Sequence, residues 1–180
     1  TTTYTLIGTD ANGCSNVDSA NVFVNSLPVV SAGSDISICI NNSTTLTGSG
    51  GTIYVWSPSG TLNNPNISNP VANPTSSTSY TVIATDANGC NNNDSVVVFV
   101  NTLPVVSAGA DGSICFGFTT TLTGSGATSY SWSTTQTTVA VAVAPSSTTT
   151  YTVIGTDANG CSNVDSAIVF VNSLPVVSAG

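Results

Sequence analysis

The hexapeptide TDANGC occurs three times, at residues 9–14, 85–90 and 156–161, and the heptapeptide LPVVSAG closes at Gly33, Gly109 and Gly180. The chain is therefore a tandem repeat with offsets of 76 and 71 residues. A unit of that size is a whole domain. The difference in offset falls between Trp56 and Pro74 in one copy and between Trp132 and Pro145 in the other, while the rest aligns without gaps. A connection whose length varies is a surface loop. Residues 1–33 recur as 148–180 with two changes, Leu6 against Val153 and Asn21 against Ile168, whereas the copy ending at Gly109 is more divergent. Two domain types thus alternate in a larger unit of 147 residues. The expected organisation is the C-terminal part of one domain (1–33), a complete domain (34–109) and a second complete domain (110–180), with both ends cut from a longer array.

Within each repeat the apolar period is two rather than 3.6. Residues 43–48, 53–57, 79–85 and 95–101 are β-branched and aromatic runs bounded by turn formers, and each reads as a strand. No helix is expected. The run Asp86-Ala87-Asn88-Gly89 lies between two of these strands, and its Asn-Gly pair suits the positive φ of a tight hairpin. Short strands at this spacing, with one Trp on a central strand, predict an all-β chain of antiparallel immunoglobulin-like sandwiches.

Composition narrows the chemistry sharply. The 180 residues include no Lys, Arg or His, and all eight acids are Asp, for a net charge of −8. A chain without a cation cannot neutralise phosphates, and one without imidazole lacks the commonest general base. No nucleic-acid partner is expected, and no enzymatic activity. No run of about 18 apolar residues is present, so no membrane insertion is expected.

The segments LPVVSAGSDISIC, TTLTGSG, YVWSP, TSYTVIATDANGC and DSVVVFVN resemble the immunoglobulin-like and PKD-like repeats of very large secreted surface proteins of Bacteroidota, including gliding and adhesion proteins exported by type IX secretion. The resemblance covers the whole chain and implies a scaffold rather than a chemistry. What it implies is an extracellular, cell-surface stalk or filament shaft that presents an adhesive tip. Its partners would be neighbouring repeats of the same chain, laterally associated copies in a filament, and surface glycans. A carbohydrate-binding adhesion module working through the variable 58–73 connection, and a phage fibre or decoration domain, are the alternatives.

Four groups of residues are candidates for sites. The five cysteines comprise one pair per complete domain, Cys39 with Cys90 and Cys115 with Cys161, plus Cys14, whose partner would lie outside the chain. Pairing within a domain is expected because small sandwiches are commonly stapled internally; pairing across the linker, Cys14 with Cys39 and Cys90 with Cys115, is the other arrangement. Either implies an oxidising compartment. The acids recur at equivalent positions, and Asp35, Asp86 and Asp94, with their counterparts Asp111, Asp157 and Asp165, are expected to gather near one end of each sandwich as hard oxygen ligands for calcium; no cofactor is otherwise required. Trp56 and Trp132 are read as core residues rather than a glycan platform. Ser19, Ser95 and Ser166 each stand in an Asp-Ser-aliphatic sequence that resembles the O-glycosylation acceptor of extracytoplasmic Bacteroidota proteins.

Overall fold

The computed structural model describes residues 1–178 and 180. Among the described residues there are strands, turns and no helix. Residues 1–33 contribute one antiparallel hairpin, β1 (Thr2–Thr9) with β2 (Ser15–Val22), in register from Thr2 opposite Val22 to Thr9 opposite Ser15.

Residues 34–109 carry β3 (Ile36–Cys39), β4 (Thr44–Thr45), β5 (Ile53–Ser57), β6 (Val71–Ala72), β7 (Thr78–Thr85) and β8 (Asn91–Asn101). They form a four-stranded sheet in the order β3-β8-β7-β5 and a two-stranded sheet, β4-β6. The first strand runs parallel to the last, with Ile36 opposite Val98 and Cys39 opposite Asn101, while β5 is antiparallel to β7. The third repeat carries β9 (Gly112–Cys115), β10 (Thr120–Thr123), β11 (Ser129–Trp132), β12 (Ala140–Val143), β13 (Thr149–Thr156) and β14 (Ser162–Asn172). Its sheets, β11-β13-β14-β9 and β10-β12, repeat the same order, with β9 again parallel to β14. Three late strands joined by a hairpin, with the first strand added parallel to the last and a second small sheet, give the immunoglobulin-like arrangement expected from the sequence.

Alternation on the strands supplies the core. Tyr80, Val82 and Ala84 on β7 are fully buried and Ile83 between them is exposed; Tyr151 and Val153 on β13 repeat the pattern around exposed Ile154. In the third repeat the inward set closes into one cluster that includes Leu122, Tyr130, Trp132, Val141, Val143, Ala167 and Val169. Each Val so buried is worth about 1.5–3 kcal/mol relative to exposure.

The chain divides into two compact units. The first holds residues 1–34, 45–72 and 79–96; the second holds 35–44, 73–78 and 97–180. The third repeat lies whole in the second unit, and residues 34–109 contribute to both.

Three local expectations are revised. The strand read over 43–48 contracts to Thr44–Thr45, with Leu46 and Gly48 donating onward to the Pro70 and Ser68 carbonyls at 2.9 and 2.8 Å. The strand read from Ser95 begins at Asn91, because the polar Asn run pairs as readily as the Val run that follows it. In the hairpin turn only the glycine takes a positive φ, 83° at Gly89, and the Gly89 amide donates to the Asp86 carbonyl. That is a turn closed by a left-handed glycine rather than a two-residue Asn-Gly turn.

Candidate functional site

Trp56 and Trp132 are core residues, 1% and 3% exposed. Each indole N–H is spent on a backbone carbonyl, that of Ile67 at 3.0 Å and that of Thr138 at 2.9 Å. The Trp amides donate to Pro65 and Gln136. Both bonds span five residues more in the first sandwich than in the second, which locates the length difference between Ser57 and Asn64. That extra segment is held down by its own side chains: the Asn63 carboxamide oxygen accepts from the Val71 amide at 2.8 Å, and the Thr61 hydroxyl meets the buried Tyr80 hydroxyl. No aromatic platform faces solvent at the Trp positions.

The chemistry that recurs in both complete repeats lies where the linker enters the sandwich. Asn92 Nδ2 donates to the Pro28 carbonyl at 3.1 Å, and the Ala32 amide donates to Asp94 Oδ2 at 2.9 Å. In the next repeat Asn163 Nδ2 donates to the Pro104 carbonyl at 3.0 Å, and the Ala108 amide donates to Asp165 Oδ2 at 2.9 Å. Ser31 and Ser49 exchange both backbone bonds, as do Ser107 and Ser125. The linker is thereby fixed from three directions, by an amide side chain, a carboxylate and a two-bond ladder. Glycine makes the approach possible: Gly50 and Gly126 have φ of 93° and 84°, and a Cβ at either would run into the carbonyl of Val29 or Val105. The Ala32 amide, then that of Ser95, holds the Asp94 carboxyl below its ordinary range; Ala108 and Ser166 do the same for Asp165.

These bonds also occupy the carboxylates that were expected to gather as calcium ligands. Among the described residues no three acids or cysteines come together in a way that could hold a metal ion. Asp35 accepts from the Val97 amide at 2.8 Å and Asp111 from Ile168 at 2.7 Å, both partway along the last strand. Asp86 and Asp157 stay in their turns, each accepting from the residue two on and from Cys90 or Cys161 at 2.9 Å. Asp94 and Asp165 hold the linker. Ile36 pairs with Val98, eight residues beyond Cys90, so the first strand joins the last strand partway along its length.

The cysteines likewise depart from both expected pairings. Cys39 is bonded to Cys161, with Cα atoms 5.6 Å apart, and Cys14, Cys90 and Cys115 are free. Within a repeat the bridge is geometrically closed off: Cys39 lies opposite Asn101 at the far end of β8, whereas Cys90 precedes its first residue. Eleven residues of strand at about 3.3 Å each span about 35 Å, against the roughly 7 Å between Cα atoms that a disulfide tolerates. Cys115 and Cys161 stand in the same relation along β14, with Cys115 opposite Asn172.

The acceptor serines Ser19, Ser95 and Ser166 are all exposed, and Ser95 Oγ shares a 2.8 Å hydrogen bond with Thr81 Oγ1. The linker clamp went unread in the sequence. Its signal was present, since Asn92 and Asn163 occupy equivalent positions two residues before an equivalent Asp.

No family model matches the chain, and no curated protein does. Among solved structures it is similar to the two-domain Ig1+Ig2 fragment of DIP-gamma, with a TM-score of 0.40 and 8% identity over 81% of this chain and 98% of that one. It is similar to the insect immune protein hemolin at 0.43 and 14%, over 94% of this chain and 56% of hemolin. Immunoglobulin domains 1–5 of Sidekick-1 give 0.39 and 14%, over 96% and 45%. Likenesses this distant say nothing about ligand or partner.

Proposed function

We propose that the chain is a structural segment of a secreted repeat protein, a spacer or shaft whose task is to keep successive immunoglobulin-like domains in fixed order along an extracellular fibre. The observation that carries this reading is the linker clamp, which recurs bond for bond at Pro28–Gly33 and Pro104–Gly109. A flexible tether needs no such bonds. The disulfide supports an oxidising, extracytoplasmic compartment, and the absence of Lys, Arg and His supports a mechanical rather than a catalytic role. On the resemblance of the repeats we place the fibre on a Bacteroidota-type surface, exported by type IX secretion, with glycans at the exposed Ser19, Ser95 and Ser166.

Small-angle scattering of a longer array of these repeats tests the reading. A stiff, extended particle is expected, becoming flexible in an Asn163→Ala, Asp165→Asn variant whose sandwiches stay folded. A randomly jointed chain in the unaltered array would remove the basis for a shaft. Intact mass measurement of material from the native source tests the glycans, and unmodified serines at full occupancy would eliminate them.

A further inference from the structure

The two classes of cysteine are built alike in every copy, yet only one member of each class is bonded. The first-strand cysteines, Cys39 and Cys115, each pair in register with an Asn at the end of the last strand, and the next residue's amide donates to that Asn carbonyl at 2.8 and 2.9 Å. Each is followed by a turn through a left-handed residue, Asn41 at φ 70° and Gly117 at φ 87°. The turn cysteines, Cys14, Cys90 and Cys161, all receive the same Asp carboxylate on their amide at 2.9 Å. What differs is cover. Cys161 is fully buried where it is bonded to Cys39, whereas Cys90 is half-buried and Cys14 exposed; Cys39 is half-buried and its unbonded equivalent Cys115 is exposed.

We propose that the Cys39–Cys161 bond is one rung of a periodic series, in which the cysteine that ends the first strand of each repeat is joined to the turn cysteine of the repeat that follows. Cys115 is then a cross-link site whose partner is the turn cysteine of a repeat placed after Gly180, and Cys90 is the partner of a first-strand cysteine in a repeat placed before it. The inference stands on the equivalence of the two local geometries and on the one bond already formed; it does not depend on the array being stiff. A rung forms by two exchanges with a disulfide-carrying oxidant of the thiol–disulfide oxidoreductase class. The Cys115 thiolate attacks the oxidant's disulfide and expels one of its thiolates. The thiolate of the turn cysteine then attacks the mixed disulfide, closing the new S–S bond. Two protons leave the protein, and the oxidant departs as a dithiol carrying two electrons.

The alternation of repeat types makes the pairing readable, since cleavage before Asp puts Cys90 in DANGCNNN and both Cys14 and Cys161 in DANGCSNV. The test is a chain of residues 1–180 followed by a second copy of 34–109, with Cys14→Ser and Cys90→Ser in residues 1–180 and Cys39→Ser in the added copy, oxidised, alkylated and digested without reduction. The DANGCNNN cysteine then comes from the added repeat alone. Expected is a cystine joining the Cys115 peptide to DANGCNNN, together with the Cys39 peptide joined to DANGCSNV, which reports that the existing repeats have folded. Adding Cys115→Ser should return DANGCNNN wholly alkylated. Recovery of Cys115 bonded to DANGCSNV, or alkylated while the Cys39 cystine is present, overturns the proposal, as does a DANGCNNN peptide that stays bonded without Cys115.

Discussion

Gly126 shows what a single residue contributes to the junction. Its φ of 84° lies in the left-handed region, and the Val105 carbonyl occupies the space a side chain would fill. Gly126→Ala therefore combines a strained backbone with displacement of the linker, and should destabilise the third repeat by about 1–3 kcal/mol. Gly160, also at positive φ but with open space around it, should cost no more than the backbone term; chemical denaturation of the two variants separates the contributions. The clamp carboxylates give the junction a pH dependence. Hydrogen bonds from Ala108 and Ser166 lower the Asp165 pKa, and those from Ala32 and Ser95 lower that of Asp94. A depressed folded pKa means that the stabilisation is complete above the unfolded value near 3.9 and is lost as pH falls through the folded value. The thermal midpoint should hold steady from neutrality down to about pH 5 and fall below about pH 4. An Asp94→Asn, Asp165→Asn variant should start lower and fall less steeply, and an identical acid slope would show that these carboxylates do not carry the effect.

At the scale of the element, nearly the same sequence occurs in two settings. Tyr4 and Leu6 on β1 are 62% and 74% exposed, while their counterparts Tyr151 and Val153 on β13 are 9% and 0%. A lone two-stranded hairpin is marginal in water, since its backbone ladder alone does not offset the entropy of ordering it. Amide hydrogens of β1 and β2 should exchange far faster than those of β13 and β14, measured residue by residue; equal protection would mean that the hairpin is covered in solution. The contrast also shows what could be read beforehand. The hairpin itself, β5 and β7 follow from local patterning and were legible. The partnership of β3 with β8 is a non-local pairing between strands far apart in sequence, and no local pattern registers it. From that one unread pairing came the mistaken cysteine partners. With Ile36 opposite Val98, Cys39 is carried to the end of β8 opposite to Cys90. The clamp was missed for a related reason: Asn92 looked like one more polar residue in an Asn run, and only the folded linker gives its side chain a carbonyl to meet.

For the whole molecule the largest single lever is the Cys39–Cys161 bond, whose sequence separation is 122 residues. Closing a loop of that length removes chain entropy from the unfolded state worth about 4–5 kcal/mol. Cys161→Ser should lower the thermal midpoint of the second compact unit by more than any clamp substitution, and reduction of the unaltered chain should reproduce that loss by calorimetry. Reduction that left the midpoint unchanged would mean that the unfolded state gains no freedom when the bond is cut. The same bond decides where a pulling force travels. Tension applied at Thr1 and Gly180 runs along the backbone to Cys39, crosses the sulfur bridge and leaves from Cys161, so the intervening polypeptide carries no load. About 120 residues at roughly 3.4 Å each are some 400 Å of hidden length. Oxidised, the chain can extend only by its two short arms; a reductant turns the same molecule into one that yields and lengthens under load.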